Sequence, residues 1–274
     1  MLIFKSLKSK NYRFFFTGQA FSNLGNLMKQ VAVGWLVYRL TGSALLLGVL
    51  AFSREISAFI FSTIAGVLAD RYNKHKLLMA CQSLIAINAA VLAWLTLSNQ
   101  INVAILIFLE ILFGLISGLE MPSRHAFVND LVEDKSYLTN AIALNSSLFN
   151  TARILGPALA GILIPVIGEG YCFLIYALAS FSVVVFFTFI HYSPSKKPMG
   201  KRGRVLSFYI MLFMGALSLG SFIIGMVTDW IGAPMAVFVG SIGVLILAFI
   251  YGKNLPILRK RTYRAIKKSE IPFP

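Results

Sequence analysis

Apolar runs follow one another along this chain, each near the ~20 residues that a bilayer core requires. They lie at about 14–38, 44–68, 77–98, 101–122, 139–167, 171–192, 205–228 and 234–252. Hydrocarbon offers no partner to an open backbone N–H or C=O, so single-chain spans of this length must be helices. The expected fold class is all-α, a polytopic helical membrane protein with about eight transmembrane helices. Composition points the same way. The 274 residues are 58% hydrophobic and only 13% charged, where a soluble domain carries about 25% charged residues. Too few polar side chains remain to cover a water-soluble globule of this size.

The placement of charge gives the orientation. The net charge is +15, and 21 of the 25 Lys and Arg fall in alternate loops and at the two ends. They form short clusters, such as Lys196, Lys197, Lys201, Arg202 and Arg204, between long apolar runs. That asymmetry puts both termini in the cytoplasm. Clusters of this kind meet anionic lipid, so the basic balance does not indicate a nucleic-acid partner. The two cysteines, Cys81 and Cys172, lack metal-type spacing, and neither a metal nor a cofactor is expected. The first apolar stretch is long and has no small-residue cleavage site, so it is expected to stay as a span.

The chain repeats itself. Leu155-Gly156, Gly161 and Ile167-Gly168 recur 64 residues later as Leu219-Gly220, Gly225 and Ile231-Gly232. Each copy reads as a helix, a tight turn and a second helix. Internal repeats of this kind are typical of secondary transporters.

Two motifs carry a family resemblance. The loop after the second span contains Gly66, Asp70, Arg71, Lys74 and Lys76 in the order G-V-L-A-D-R-Y-N-K-H-K. It is similar to the signature loop between the second and third helices of the major facilitator superfamily. Asn73 stands where that signature usually has Gly, and Asn tolerates the left-handed conformation nearly as well. Gly66 permits close helix approach, Asp70 accepts hydrogen bonds and favours a helix N-terminus, and the basic residues fix the loop inside. In the fifth span, Gly156, Pro157 and Gly161 resemble the antiporter motif of the superfamily's fifth helix. Nearly the whole chain resembles one branch, the bacterial drug, macrolide and siderophore exporters. Trp35–Ser43, Met121–Phe127 and Asn140–Asn145 match its first outside turn, fourth-helix end and fifth-helix start.

The resemblance implies that helices seven to ten of that branch are absent here. Residues 1–192 then form a complete N-terminal six-helix bundle and 193–204 a basic cytoplasmic linker. Residues 205–252 form the last two helices of a reduced C-terminal bundle, and 253–274 a basic cytoplasmic tail.

Ionisable side chains at membrane depth are costly, and so are candidates for function. Lys29, Arg54, Glu55, Glu110 and Arg153 all fall near mid-span. The carboxylates could carry a proton. The cations could meet an anionic substrate group, or neutralise the carboxylates as static interhelical pairs. Gln19, Asn23, Asn26, Gln30, Asn145 and Asn150 could line the same cavity. No metalloprotease, nucleophile-elbow or phosphate-loop motif occurs, so an enzyme is not expected.

The resemblance implies a secondary transporter of a bacterial inner membrane. It would export small amphipathic molecules against proton entry by alternating access, with the bilayer and a small-molecule substrate as partners. The rival reading is a shortened, non-transporting remnant or a membrane scaffold that binds a partner. With a reduced second bundle, the charged face of the first is expected either to be covered by homo-oligomerisation or to leave the chain unstable.

Reporter fusions test the topology. Those at Gly42, Asn99, Glu169 and Trp230 should read outside, and those at Asn73, Asp130 and Lys197 inside. An outside signal from Lys197 would overturn the arrangement.

Overall fold

The computed structural model describes residues 5–132, 137–190, 215–216 and 219–268, with backbone alone at 5, 8, 63–71, 126, 129, 130, 138, 139 and 256–268. Among the described residues the fold is helical throughout. A short 3-10 turn, Lys5–Lys8, precedes α1 (Lys10–Thr41), α2 (Ala44–Arg71), α3 (Lys74–Leu97), α4 (Val103–Leu131), α5 (Leu138–Ile167) and α6 (Glu169–Thr188). α7 (Leu219–Ile231) and α8 (Ala233–Lys268) follow.

Local chemistry sets the ends. Ser9 caps α1 by accepting from Tyr12 N–H, and Asn102 Oδ1 caps α4 by accepting from Ile105 N–H at 2.9 Å. Asn73 does not use the left-handed conformation expected of it. It is extended, at φ −64° and ψ 113°, and its Oδ1 accepts from His75 N–H at 3.0 Å and Lys76 N–H at 3.3 Å. At the start of a helix a side-chain acceptor serves two orphan N–H groups, which a glycine could not do.

The repeat is visible in the backbone. Gly168 closes α5 at φ +82°, and Gly232 precedes α8 at φ +77°. Each donates its N–H to the carbonyl four residues back at 2.9 Å, to Ile164 and Thr228 respectively. With no Cβ, glycine takes such a positive φ without steric cost, and both copies of the turn carry one.

Two compact units result, Met1–Gly225 and Met226–Pro274. In the first, α1 packs against α5 and α6, α2 against α4, and α3 against α4 and α6. One apolar cluster gathers Tyr12, Phe15, Leu78, Phe127, Val183 and Phe187. Another, toward the opposite helix ends, gathers Val33, Leu36, Leu92, Leu106, Cys172 and Phe173. Arg39 Nε pairs with Glu169 Oε1 at 2.9 Å near that second end. The first half of α7 lies on α2, where Gly225 meets Gly48 and Phe222 meets Phe52. In the second unit the apolar stretch of α8, Ala233–Leu255, leaves nearly all of its side chains exposed.

Among the described residues, six helices are long and apolar enough to cross a membrane: α2 to α6 and α8. α1 has the length, 32 residues, but is more polar than these six. Its polar side chains Gln19, Ser22, Asn23 and Lys29 are buried inside the bundle, so lipid does not meet them.

Among the described glycines, the tightest contact with another helix is that of α4 on α2. A Cβ built on Gly114 would stand 2.2 Å from the Arg54 carbonyl oxygen, and one on Gly118 would stand 2.5 Å from that of Ala58. Gly114-x3-Gly118 is a glycine pair of the kind that lets membrane helices touch backbone to backbone. Gly114→Leu should therefore lower stability by about 1–3 kcal/mol or more through overpacking. Gly161→Leu, which meets nothing within 4 Å, should be tolerated. Thermal unfolding of the detergent-solubilised protein decides, and equal effects would contradict the packing.

Candidate functional site

The glycine contact between α2 and α4 brings charge together. Glu110 lies one helical turn before Gly114, and Gly114 rests on the backbone of Arg54. On the other side, Gly156 of α5 would place a Cβ 2.7 Å from Leu27 Cβ. The chain of α1 is thereby seated close to α5 immediately before Lys29. Three helices thus deliver Lys29, Arg54 and Glu110 to one place.

Lys29 and Glu110 are 1% and 0% exposed. Lys29 Nζ donates to Glu110 Oε1 and stands 4.0 Å from the centroid of the Phe113 ring. Arg54 Nη1 lies 3.9 Å from Glu110 Oε2. The same guanidinium donates from Nε at 3.1 Å and from Nη2 at 2.7 Å to Glu55 Oε1. Gln30, with its amide oxygen turned toward Arg54, accepts from Nη1 at 3.0 Å and Nη2 at 2.6 Å. Two cations and two carboxylates cancel, which is the condition for holding them at this depth.

Four of the five membrane charges singled out by sequence therefore converge. Arg153 does not join them. It is exposed on α5, with its guanidinium 5.3 Å from the Phe149 ring centroid. Of the polar residues singled out with them, Gln30 joins the group, and Asn150 is exposed on α5.

Gly66, Asp70 and Arg71 lie in the last turns of α2, where side chains are outside the described set. Lys74 and Lys76 open α3. Between them, His75 Nε2 is 2.9 Å from the Phe187 carbonyl oxygen, and its ring stacks on Phe187. The signature loop is thus tied to the end of α6, a role the sequence reading did not assign to His75. Pro157 is exposed within α5, and Gly161 faces open space.

A second polar cluster was not singled out from the sequence, because the expected fourth span ends at 122, short of Arg124. α4 continues through it, so Glu120 and Arg124 sit one turn apart, with Arg124 Nε 3.6 Å from Glu120 Oε1. Arg124 Nη1 donates to Gln19 Oε1 at 2.9 Å and Asn23 Oδ1 at 3.3 Å on α1. Gln82 Nε2 of α3 donates to Glu120 Oε1 at 3.2 Å. The signal was present in the i, i+4 spacing of Glu120 and Arg124, and again in that of Gln19 and Asn23. Among the described residues no group of three or more His, Cys, Asp or Glu could hold a metal ion.

Comparison with known proteins adds to this geometry. Residues 3–201 match the family described as transmembrane secretion effector. The chain is 28% identical over 264 residues to the staphyloferrin A transporter of Staphylococcus aureus, covering 94% of this chain and 61% of that protein. It is 28% identical over 148 residues to the multidrug efflux pump Tap of Mycolicibacterium fortuitum, covering 53% of this chain and 36% of the pump. It is 25% identical over 146 residues to macrolide efflux protein A of Streptococcus pyogenes, covering 53% of this chain and 36% of that protein. The chain thus spans less than two thirds of each of these relatives.

The ion pair makes a stability prediction. Lys29→Met leaves the buried Glu110 carboxylate without its closest cation and should cost about 3–5 kcal/mol. The double variant Lys29→Met/Glu110→Leu removes both charges and should recover most of that loss. Thermal unfolding in detergent measures both, and a double variant no more stable than the single would contradict the pairing.

Proposed function

The chain belongs to the transmembrane secretion effector family of major facilitator proteins, in the drug and siderophore exporter branch, and from that membership we propose that it exports small amphipathic molecules across a bacterial inner membrane. The driving force is proton entry, and the mechanism is alternating access. The observation that carries this reading is the neutral Lys29–Glu110–Arg54–Glu55 network. It joins α1, α2 and α4 in the interior of the bundle.

A charge-balanced cluster can exchange partners without leaving net charge in hydrocarbon. A substrate with an acidic group competes with Glu55 for the Arg54 guanidinium. A basic one competes with Arg54 for the carboxylates. Arg54 and Glu55 are partly exposed, at 14% and 17% of their side chains, whereas Lys29 and Glu110 are closed off. Substrate contact in this reading therefore falls on α2, and Lys29 and Glu110 hold the site's shape. Arg153 lies outside the network and takes part through the α5 face.

The signature residues Gly66, Asp70, Arg71, Lys74 and Lys76 gate the inner face, and both termini lie inside. Residues 1–192 act as the first bundle, 193–204 as the linker, and 205–252 as the reduced second. A homo-oligomer covers what the reduced bundle leaves open. No chemical conversion of the substrate is part of this reading.

A second reading has one observation in its favour. The chain covers only 61% of the staphyloferrin A transporter, and a shortened bundle could serve as a non-transporting membrane scaffold. Proteoliposomes containing the 274-residue chain separate the two. A fluorescent amphipathic dye should move in response to an imposed pH gradient, and the movement should stop when an ionophore dissipates that gradient. Arg54→Ala should reduce it more strongly than Arg153→Ala. Dye movement equal to that of empty liposomes would leave the scaffold reading standing.

A further inference from the structure

Glu55, Glu110, Glu120 and Glu169 differ in what each would leave behind on taking up a proton. Glu169 sits at an end of the bundle, paired with the exposed Arg39. Glu110 is the anion in contact with Lys29, a side chain 1% exposed whose other neighbour is the Phe113 ring. Neutralising Glu110 would strand Lys29 and leave two cations against one anion in the bundle interior. Glu55 Oε1 accepts two hydrogen bonds from Arg54, and its loss would leave the same imbalance.

Glu120 is placed differently. It is 6% exposed, and its hydrogen bond comes from a neutral amide, Gln82. Its cation, Arg124, stands at 3.6 Å, beyond hydrogen-bond reach. Arg124 spends Nη1 on two neutral oxygens, those of Gln19 and Asn23. These bonds survive if Glu120 becomes neutral.

Gln82 supplies the complementary half. Its Nε2 donates to the carboxylate, while its Oε1 is buried with no hydrogen-bond partner among the described residues. A half-turn of that amide would present Oε1 to the O–H of a protonated Glu120. The same side chain can therefore satisfy both protonation states. Gln19 Nε2 and Arg124 Nε are likewise buried without a hydrogen-bond acceptor, so the cluster holds spare donors as well. Other groups in electrostatic reach are Cys81 of α3 and Tyr176 of α6, which face Glu120, and His125 of α4, which faces Arg124. Pro122 falls between Glu120 and Arg124. It cannot donate to the Gly118 carbonyl, so α4 lacks one backbone bond at this level.

We propose that Glu120 takes up and releases the coupled proton, with Gln82 as the amide that follows its protonation state. Glu110 and Glu55 remain charged as fixed partners of Lys29 and Arg54. The proton arrives from water on one side and leaves as the same ion on the other, and no bond besides the carboxyl O–H is made or broken. Ten residues along α4 separate Glu120 from Glu110, about 15 Å of helix, so proton and substrate occupy distinct stations. This assignment rests on the proton-coupled reading given above.

Infrared difference spectra of the purified 274-residue chain in lipid, taken between about pH 5 and about pH 9, test it directly. A protonated-carboxyl C=O band should titrate in the unmodified protein and in the charge-balanced double variant Lys29→Met/Glu110→Leu, vanish in Glu120→Gln, and reappear at a shifted position in Glu120→Asp. Gln82→Leu should move the band, because the hydrogen-bonding amide is gone. Persistence of the band in Glu120→Gln, its loss in Lys29→Met/Glu110→Leu, or no titrating band in the unmodified chain would overturn the proposal. Dye export in proteoliposomes is read in parallel. A chain that shows the Glu120 band and exports nothing defeats the transport reading and leaves the site assignment intact.

Discussion

Two glycines on α4 decide where the charges of this protein meet. With no Cβ at Gly114 or Gly118, the backbone of α2 comes down onto that of α4 at Arg54 and Ala58. One turn of helix then separates the contact from Glu110. Any larger residue would push the helices apart and move the Arg54 guanidinium away from the carboxylate that it balances. Gly156 plays the corresponding part for α1, at the residues just before Lys29. Charge neutrality in the bundle interior is thus a consequence of small-residue packing, and the packing must be in place before the charges can pair.

The two apolar clusters make the network worth its cost. Aromatic and aliphatic side chains close the bundle at either end, so the polar groups of α1, α2 and α4 lie between dry layers. A lone charge there would cost about 2.5–3.5 kcal/mol or more. Pairing removes most of that cost, and the residue of it makes the cluster responsive. The Glu120–Arg124 cluster follows the same rule with a weaker contact, a cation at 3.6 Å and amides as the nearest partners.

Much of this was legible in the sequence. Helical spans follow from the length of the apolar runs, and the glycine turns of the repeat follow from matching residues 64 apart. Lys29, Arg54, Glu55 and Glu110 stood out because charge is rare in spans. Pairing among them was one of the readings the sequence left open, but which cation meets which carboxylate was not legible, since it depends on which faces of α1, α2 and α4 touch. Arg153 shows the limit of the same logic, because a charge at mid-span by residue count can still lie on an exposed face. Glu120 and Arg124 were hidden for a related reason. A helix that outruns its apolar stretch looks like a loop in composition, and α4 carries nine residues past the end of its expected span. Asn73 was misjudged because a glycine position in a signature suggests a left-handed turn, whereas an Asn there can cap a helix instead.

The matched turns at Gly168 and Gly232 have a further consequence for how such a chain is assembled. Each turn joins two consecutive helices through a single glycine, α5 to α6 and α7 to α8, which is the connection of a helical hairpin. A hairpin of that kind can enter the bilayer as a single unit, because the tight turn needs few polar groups carried across. Adding or losing one such unit leaves the sidedness of every other segment unchanged. The glycine turn therefore divides the sequence into modules that biogenesis can count in pairs, and a gene can change its number of spans without inverting the protein.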